Sequence, residues 1–287
     1  MDSGNVSFPI ARLVELGRQS ASENLSTAYF DVHGISTRLT TDSERVSHAV
    51  SGLLEAFVAQ ETSAPDIDFF LFTVNELKED MVPVPGDASM LYDWNIVKVY
   101  NNGSDRYLTV DQKARVVADI KENVAAGFVG KDYLDSDWIV SHYVFYPLWA
   151  QMLKERGLFP LHAAGLVRNG RSILLPGRSG SGKSTLSLQL VQDGFGLLSD
   201  DTVFLRSNGD KIDAFSFPEE ININEQTIEL IPELSNVKNF TKNELRQKSS
   251  FQIDELHPDS FVDSAVPGLI LFPKIADSDK SCVKPMS

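Results

Sequence analysis

The sequence predicts an α/β protein with two domains, a small α+β domain over residues 1–135 and an α/β domain over residues 136–287. Two observations lead to this fold class. In the first part of the chain, several strand-like segments accompany one amphipathic helix. In the second part, an apolar run leads into a glycine-rich loop, and that loop opens an apolar-periodic helix.

The composition is typical of a globular protein that can bury a core, with 42% hydrophobic and 23% charged residues. The net charge of -14 disfavours nucleic acid and anionic membranes, so we expect neither as a partner, and solubility is its simplest explanation. Cys282 is the single cysteine, and residues 1–20 lack the pattern of a signal peptide, so we predict a cytoplasmic protein. The longest apolar run, residues 138–153, contains His, Pro and Gln, which indicates a buried helix rather than a membrane span.

The first domain is predicted from its periodicity. Residues 28–40 indicate one strand that contains a glycine, and an amphipathic helix follows, for which Ser43 is a plausible N-cap. Residues 67–74 indicate a buried strand. A hairpin is predicted to turn at 101–105, with a further strand at 113–120.

The second domain is predicted to begin with a helix over 137–156, ended by Gly157. Asn169-Gly170 lies between two apolar runs, which is the sequence signal of a hairpin. The later predicted elements are a helix over 183–193, one strand over 195–205, a turn at Asn208-Gly209 and an apolar strand over 267–273.

The glycine-rich loop, GRSGSGKS at residues 177–184, matches the pattern G-x-x-x-x-G-K-[ST]. Glycines let successive backbone N–H groups point at one anion, and the following helix presents its positive N-terminus to the same anion. Lys183 can reach the β- and γ-phosphates, and the Ser184 hydroxyl can ligate Mg²⁺. The alternative is a turn that carries a lysine by chance, and the flanking strand and helix favour phosphate binding. The residues expected to bind a nucleotide are Gly177, Ser179, Gly180, Ser181, Gly182, Lys183, Ser184 and Thr185.

Asp200 and Asp201 follow the apolar run 194–198, at a distance that suits a strand adjacent to the one before the loop. Mg²⁺ prefers a carboxylate at a strand end, and phosphoryl transfer to a hydroxyl benefits from a carboxylate that takes the proton. In a strand the two side chains would point to opposite faces and could divide these tasks. A polar strand exit is the alternative interpretation.

His162 stands at the start of the strand that leads to the loop through the hairpin, so it could approach the site. From the residues alone, a structural histidine is the other interpretation. The remaining histidines share no metal-binding spacing.

The segment 158–206 resembles the catalytic domain of HPr kinase/phosphorylase and, more closely, the HPr-kinase-like proteins found beside biosynthetic genes. ATP-type phosphoenolpyruvate carboxykinase is similar in its loop followed by two aspartates, and a weaker likeness covers 250–273. The resemblance implies a P-loop domain with a mixed sheet, and ATP and Mg²⁺ as cofactors. It implies that His162 lies in the active site, and that the aspartates handle metal and proton transfer.

Departures from the family pattern limit what the resemblance implies. The Glu-x-Arg-Gly-Leu-Gly signature of HPr kinases is absent, and FSFPEEININ occupies its region, where Glu219 or Glu220 could supply a carboxylate. HPr itself and the reverse phosphorylase reaction are therefore not implied. Lys248 is a candidate for a further phosphate contact. Because the chain ends soon after residue 273, we expect the second domain to lack elements of its relatives.

We therefore predict an ATP- and Mg²⁺-dependent kinase that phosphorylates a Ser-type hydroxyl of a peptide, protein or small molecule. In this prediction Lys183, Asp200, Asp201 and His162 are catalytic, and Ser184 and Asp200 hold the metal. One alternative is an ATPase or nucleotide switch that uses water as acceptor. The other is a non-catalytic module that binds ATP to regulate a partner. HPr kinases assemble into rings, and the sequence leaves the oligomeric state of this chain open.

Overall fold

The computed structural model describes residues 10–21, 25–243, 248–276 and 282–285. The chain divides into two compact units, Met1–Leu158 and Phe159–Ser287. This division lies after the predicted boundary at 135/136, because the helical segment that follows residue 135 packs into the first unit. Its buried Trp149 donates a hydrogen bond from Nε1 to the Thr37 hydroxyl at 3.1 Å.

The first unit is built on one mixed sheet of eight strands in the order β1-β2-β3-β8-β7-β6-β5-β4. The β2–β3 and β3–β8 pairs are parallel, and the other neighbours are antiparallel. The elements are α1 (Ile10–Ser20), β1 (Ser26–Val32), β2 (Ile35–Thr41), α2 (Glu44–Leu53), β3 (Ile67–Val74), β4 (Ser89–Trp94), β5 (Val97–Asn102), β6 (Asp105–Val110), β7 (Ala114–Asp119), β8 (Val124–Gly130) and α3 (Tyr146–Glu155).

Several predicted elements of this unit are confirmed, among them the strand at 67–74, the hairpin at 101–105 and the helix capped by Ser43. The predicted single strand over 28–40 is wrong. His33 and Gly34 have φ of 54° and 83°, so the chain reverses there and forms the β1–β2 hairpin. Helix α1 and strands β4 and β8 had not been predicted.

The predicted helix over 137–156 is present in two parts. Residues Ile139–Phe145 are π-helical, and α3 follows them. Pro147 in the first turn of α3 has no N–H to donate, so the helical hydrogen-bond ladder cannot run unbroken through this point. Gly157 ends the helix with a φ of 78°, as predicted. In the described part of the chain, no helix has both the length and the apolar character needed to cross a membrane.

The second unit contains a mixed six-stranded sheet in the order β10-β17-β13-β12-β9-β11, and a further β9–β10 pairing closes five of the strands into a ring. Its only parallel pair in the described residues is β10–β17. A small sheet, β14-β16-β15, is formed by the part of the chain between β13 and β17. The elements are β9 (Phe159–Arg168), β10 (Arg171–Pro176), α4 (Lys183–Gln192), β11 (Gly196–Ser199), β12 (Thr202–Asn208), β13 (Lys211–Phe215), β14 (Ile221–Ile223), α5 (Glu225–Leu230), β15 (Thr241–Asn243), β16 (Lys248–Phe251) and β17 (Ser264–Ile270).

Strand β9 organises the second unit. It pairs with β10 through the predicted hairpin, in which Asn169 and Gly170 have φ of 54° and 73°. Along its other edge it pairs with β12 and then with β11. The expectation that the aspartate-bearing strand lies next to β10 is therefore wrong, because β9 lies between them.

The predicted single strand over 195–205 is also two strands, β11 and β12, separated at Asp200 and Asp201. The buried Ser199 hydroxyl accepts the backbone N–H groups of Asp201 and Thr202 at 3.2 and 3.0 Å. These bonds hold the chain in a bend, so the two aspartates do not lie in a strand.

One of the two core clusters described in the second unit lies between α4 and the sheet. Leu188 and Val191 of α4 pack in one buried cluster with Leu166 of β9 and Leu175 of β10. This packing holds the N-terminus of α4 at the end of β10. The predicted α/β class is confirmed in this mixed arrangement of strands and helices.

Candidate functional site

The glycine-rich loop connects β10 to α4, as the sequence predicted. Gly180 and Gly182 have φ of 82° and 93°, which a residue with a side chain adopts only at a cost. A Cβ on Gly177 would lie 2.6 Å from the Ser181 hydroxyl oxygen, so the loop closes on itself at this point. Gly182 is the N-cap of α4 and makes no side-chain cap, so the first-turn amides of α4 remain available to an anion.

Lys183 begins α4 and turns back over its own loop. Its side chain is largely buried, and its Nζ donates to the Gly177 carbonyl at 2.7 Å. The same Nζ lies 3.5 Å from His162 Nε2. The loop therefore carries a cation near its centre, held by a backbone carbonyl that an anionic ligand could replace.

Ser184 contacts the first aspartate directly, because its hydroxyl donates to Asp200 Oδ2 at 2.8 Å. Asp200 is only 3% exposed, and this burial raises its pKa to about 6. The Ser184 hydrogen bond opposes the rise of the pKa, the charge of Asp201 adds to it, and the charges of Lys183 and Lys248 oppose it.

The Asp200 carboxylate has an unused acceptor. Its Oδ1 is buried and has no hydrogen-bond partner among the residues that the structure describes. A carboxylate oxygen beside a hydroxyl is a donor set that suits a hard divalent cation. No group of three or more His, Cys, Asp or Glu gathers as a metal cluster within the described ranges. A cation here would therefore take its remaining ligands from phosphate oxygens and water.

Asp201 lies in a different environment from its neighbour. Its Oδ1 is 3.4 Å from His162 Nδ1, and both side chains are partly exposed. The β9–β12 register sets His162 opposite Thr202, the residue after Asp201, and Ala163 N–H donates to the Asp201 carbonyl at 3.0 Å. The predicted alternation of the two aspartates along a strand is wrong, and their different environments come from the bend at Ser199.

One cavity of about 370 Å³ brings most of the predicted site residues together. It is lined by Ser179 and the rest of the loop to Thr185, by both aspartates, and by His162 and Lys248. Gly177 is not part of the lining, and its close approach to Ser181 shapes the loop. Glu219 and Glu220 also lie outside the lining, and Glu220 accepts a hydrogen bond from the Ser250 hydroxyl.

The structure adds a hydrogen-bond chain that sequence reasoning missed. Asn224 caps α5, and its Oδ1 accepts both the N–H and the hydroxyl of Thr227 at 2.9 Å. The Thr227 hydroxyl proton is thereby used, so its oxygen accepts the hydroxyl of Thr185, also at 2.9 Å. Thr185 therefore offers an anion only its backbone N–H. The sequence signal was Asn224 as an N-cap, and nothing local showed that it faces the loop.

Only comparison with solved structures finds a similar protein. No family model matches the sequence, and no curated protein matches it. Among solved structures, the HPr(Ser) kinase/phosphatase from Coxiella burnetii is similar with a TM-score of 0.30 and 19% sequence identity. The match covers 42% of this chain and 66% of that one. It is a weak similarity, and it concerns the fold of part of the chain alone.

Proposed function

We propose that this chain is a cytoplasmic phosphotransferase that uses ATP and Mg²⁺ to phosphorylate a Ser-type hydroxyl of a peptide, protein or small molecule. The observation that carries the proposal is the composition of one cavity. It holds the glycine-rich loop, a buried carboxylate that accepts a hydrogen bond from Ser184, and a partly exposed carboxylate beside His162. Phosphoryl transfer needs these three components: an anion cradle, a cation site and a proton acceptor.

The loop supports phosphate binding. When bound, Mg-ATP would supply the γ-phosphoryl group and the divalent charge that neutralises its oxygens. The first-turn amides of α4 would bind phosphate oxygens, assisted by the helix dipole. Lys183 would exchange the Gly177 carbonyl for a phosphate oxygen, which is a stronger acceptor because it is charged. The Ser181 hydroxyl, buried without a partner in the described residues, is a further donor in the cradle.

The buried carboxylate suits the cation. Ser184 and Asp200 would hold Mg²⁺, and the unpaired Oδ1 of Asp200 is the atom that fits this role. Burial without such a partner raises the pKa of Asp200, so a bound cation would restore the ionised form at neutral pH.

The partly exposed carboxylate suits proton transfer. Asp201 would accept the proton of the acceptor hydroxyl, and its contact with His162 Nδ1 would hold the carboxylate in one orientation. His162 also neighbours Lys183, so it links the proton acceptor to the phosphate-binding lysine.

The experiment that tests this proposal follows the fate of the γ-phosphate. The purified chain is incubated with γ-labelled Mg-ATP together with free serine, Ser-containing peptides or a cell extract. We expect label on an acceptor in the wild-type chain, and we expect Lys183→Ala to lose it. Lys211→Ala, at an exposed position of β13, is the matched control and should keep full transfer.

Two outcomes would contradict the proposal. Label found only in free phosphate would indicate an ATPase or nucleotide switch. Label that stays on ATP, with nucleotide bound, would indicate a non-catalytic module.

A further inference from the structure

We propose that the first unit carries a second ligand site, a carboxylate-binding pocket on the face of its sheet around Arg115. This proposal concerns residues of the first unit only and does not depend on the proposed phosphotransfer. The pocket is a cavity of about 480 Å³ lined by Glu79, Asp80, Pro83, Val84, Tyr100, Thr109 and Arg115.

The sheet register explains how a cation comes to lie here. Arg115 of β7 lies opposite Phe128 of β8 on one side and opposite Thr109 of β6 on the other. Thr109 in turn lies opposite Lys98 of β5. Directly opposed residues share a sheet face, so these four side chains form one row. Phe128 belongs to the buried core cluster, whereas the row is open toward Lys98. The row therefore presents the Arg115 cation and then Thr109 to the cavity, whereas Lys98 lies outside the lining and forms an ion pair with Asp93 at 3.9 Å.

The Arg115 guanidinium is poorly compensated for a buried charge. Its side chain is only 11% exposed, and its one ion pair in the described part of the chain is with Glu79 at 3.0 Å. The Glu79 side chain is 85% exposed, so water weakens this pair. A guanidinium has five donors in a planar fork, and Glu79 takes one of them. Arg115 has no nitrogen that is both fully buried and unpaired, and it lines the cavity. We therefore infer that its unused donors are accessible from the cavity.

The contacts favour a carboxylate as the ligand. Glu79 already offers its carboxylate to the fork, which shows that a planar singly charged acid fits there. Thr109 and Tyr100 line the same cavity, and each carries a hydroxyl that could donate to the second oxygen. Asp80 also lines the cavity, and its negative charge disfavours a doubly charged phosphate.

The Glu79 side chain can leave Arg115 without unfolding the unit. It begins the short 3₁₀ turn Glu79–Met81, and the next residue, Val82, is buried in the core cluster. Val82 anchors the turn, so the exposed Glu79 side chain can rotate away while the backbone stays in place. The ligand would therefore compete with Glu79 for Arg115.

The test uses the full chain labelled with ¹⁵N-arginine and follows the Arg115 Nε–H signal. The probe is an acetyl-capped dipeptide with a free C-terminal carboxylate, and the same dipeptide with a C-terminal amide is the control. We expect a saturable shift with the acid and none with the amide. Glu79→Gln should tighten binding about two- to fivefold, because it removes a competing exposed ion-pair partner.

Arg115→Gln should abolish binding, and its folding is checked by its far-UV spectrum and melting curve. Thr109→Val keeps the fork and should weaken binding without abolishing it. The proposal is overturned if the acid and the amide bind alike, if Glu79→Gln binds no tighter than the wild type, or if neither form binds at millimolar probe. Saturation by inorganic phosphate with no response to the acid would overturn the carboxylate assignment.

Discussion

Asp200 and Asp201 are consecutive in the chain, yet they belong to two regions of the cavity that differ in physical character. The Asp200 region is buried, contains the Ser184 hydroxyl and an unpaired carboxylate oxygen, and raises the pKa of Asp200 to about 6. The Asp201 region is partly exposed and contains His162. The comparison teaches that burial makes a charged carboxylate costly unless a cation or donor compensates it, whereas partial exposure leaves its neighbour accessible from solvent. The proposed division of labour between the two aspartates rests on this difference.

The largest effect is expected from Asp201→Asn. Without its proton acceptor the chain should lose about 10²- to 10⁴-fold in the rate of transfer, because general-base assistance contributes that much. Affinity for ATP should stay nearly unchanged, since Asp201 holds neither the phosphates nor the cation in the proposed arrangement. Transfer rates and nucleotide titrations measure the two quantities separately.

Asp193→Asn, at the exposed end of α4, is the control and should behave as wild type. If Asp201→Asn loses nucleotide affinity in step with the rate, the division of labour between the two aspartates is wrong.

An intermediate effect is expected on stability, through Asp200 in the cation-free chain. Its pKa is raised from 3.8 to about 6 in the folded state, so the protonated form is favoured by folding. Stability from this group is fully present below about pH 4 and is lost as pH rises through 6. The loss of free energy of unfolding should reach about 3 kcal/mol at pH 7. Denaturant unfolding between pH 4 and pH 7 in the presence of a chelator measures it.

Asp200→Asn cannot ionise, so its stability should lack this decline over the same pH range. Parallel curves for the wild type and the variant would contradict the assignment of a buried carboxylate without a cation.

The smallest effect is expected from Thr227→Val, which tests the link between the loop and α5. The change keeps the shape but leaves the hydroxyl of Thr185 without its acceptor. We expect a loss of about 1–2 kcal/mol in the free energy of unfolding and a KM for ATP raised several-fold, with kcat largely kept. Thr227→Ser retains the hydroxyl and should restore both values. A Val variant that matches wild type in both would show that this chain of bonds does not position the loop.

The sequence was most informative where structure depends on near neighbours. The loop, the N-cap at Ser43 and the hairpin at Asn169-Gly170 were all predicted, because glycine conformations and capping bonds involve residues a few positions apart. The same reasoning failed at His33, where a residue not usual in a two-residue turn takes a positive φ. It also failed at Asp200, where the Ser199 hydroxyl bends the chain between two apolar runs.

The residues of the candidate site could be named from the sequence, but their environments could not. Nothing local distinguishes Asp200 from Asp201, because their difference in burial comes from how β9, α4 and the bend at Ser199 pack together. Nor does any motif mark Thr227, which meets Thr185 only through the packing of α5.

By itself, the sequence determined the α/β class, the glycine-rich loop at the start of α4 and the ionisable and hydroxyl side chains of the candidate site. Only the tertiary structure decided that β9 separates β10 from β11, that His162 contacts Asp201, and that Arg115 is buried beside an exposed Glu79. The physical reason is the distance along the chain over which each kind of interaction acts. Backbone conformation responds to adjacent residues, whereas burial and charge compensation depend on residues that the sheet register brings together from distant parts of the chain.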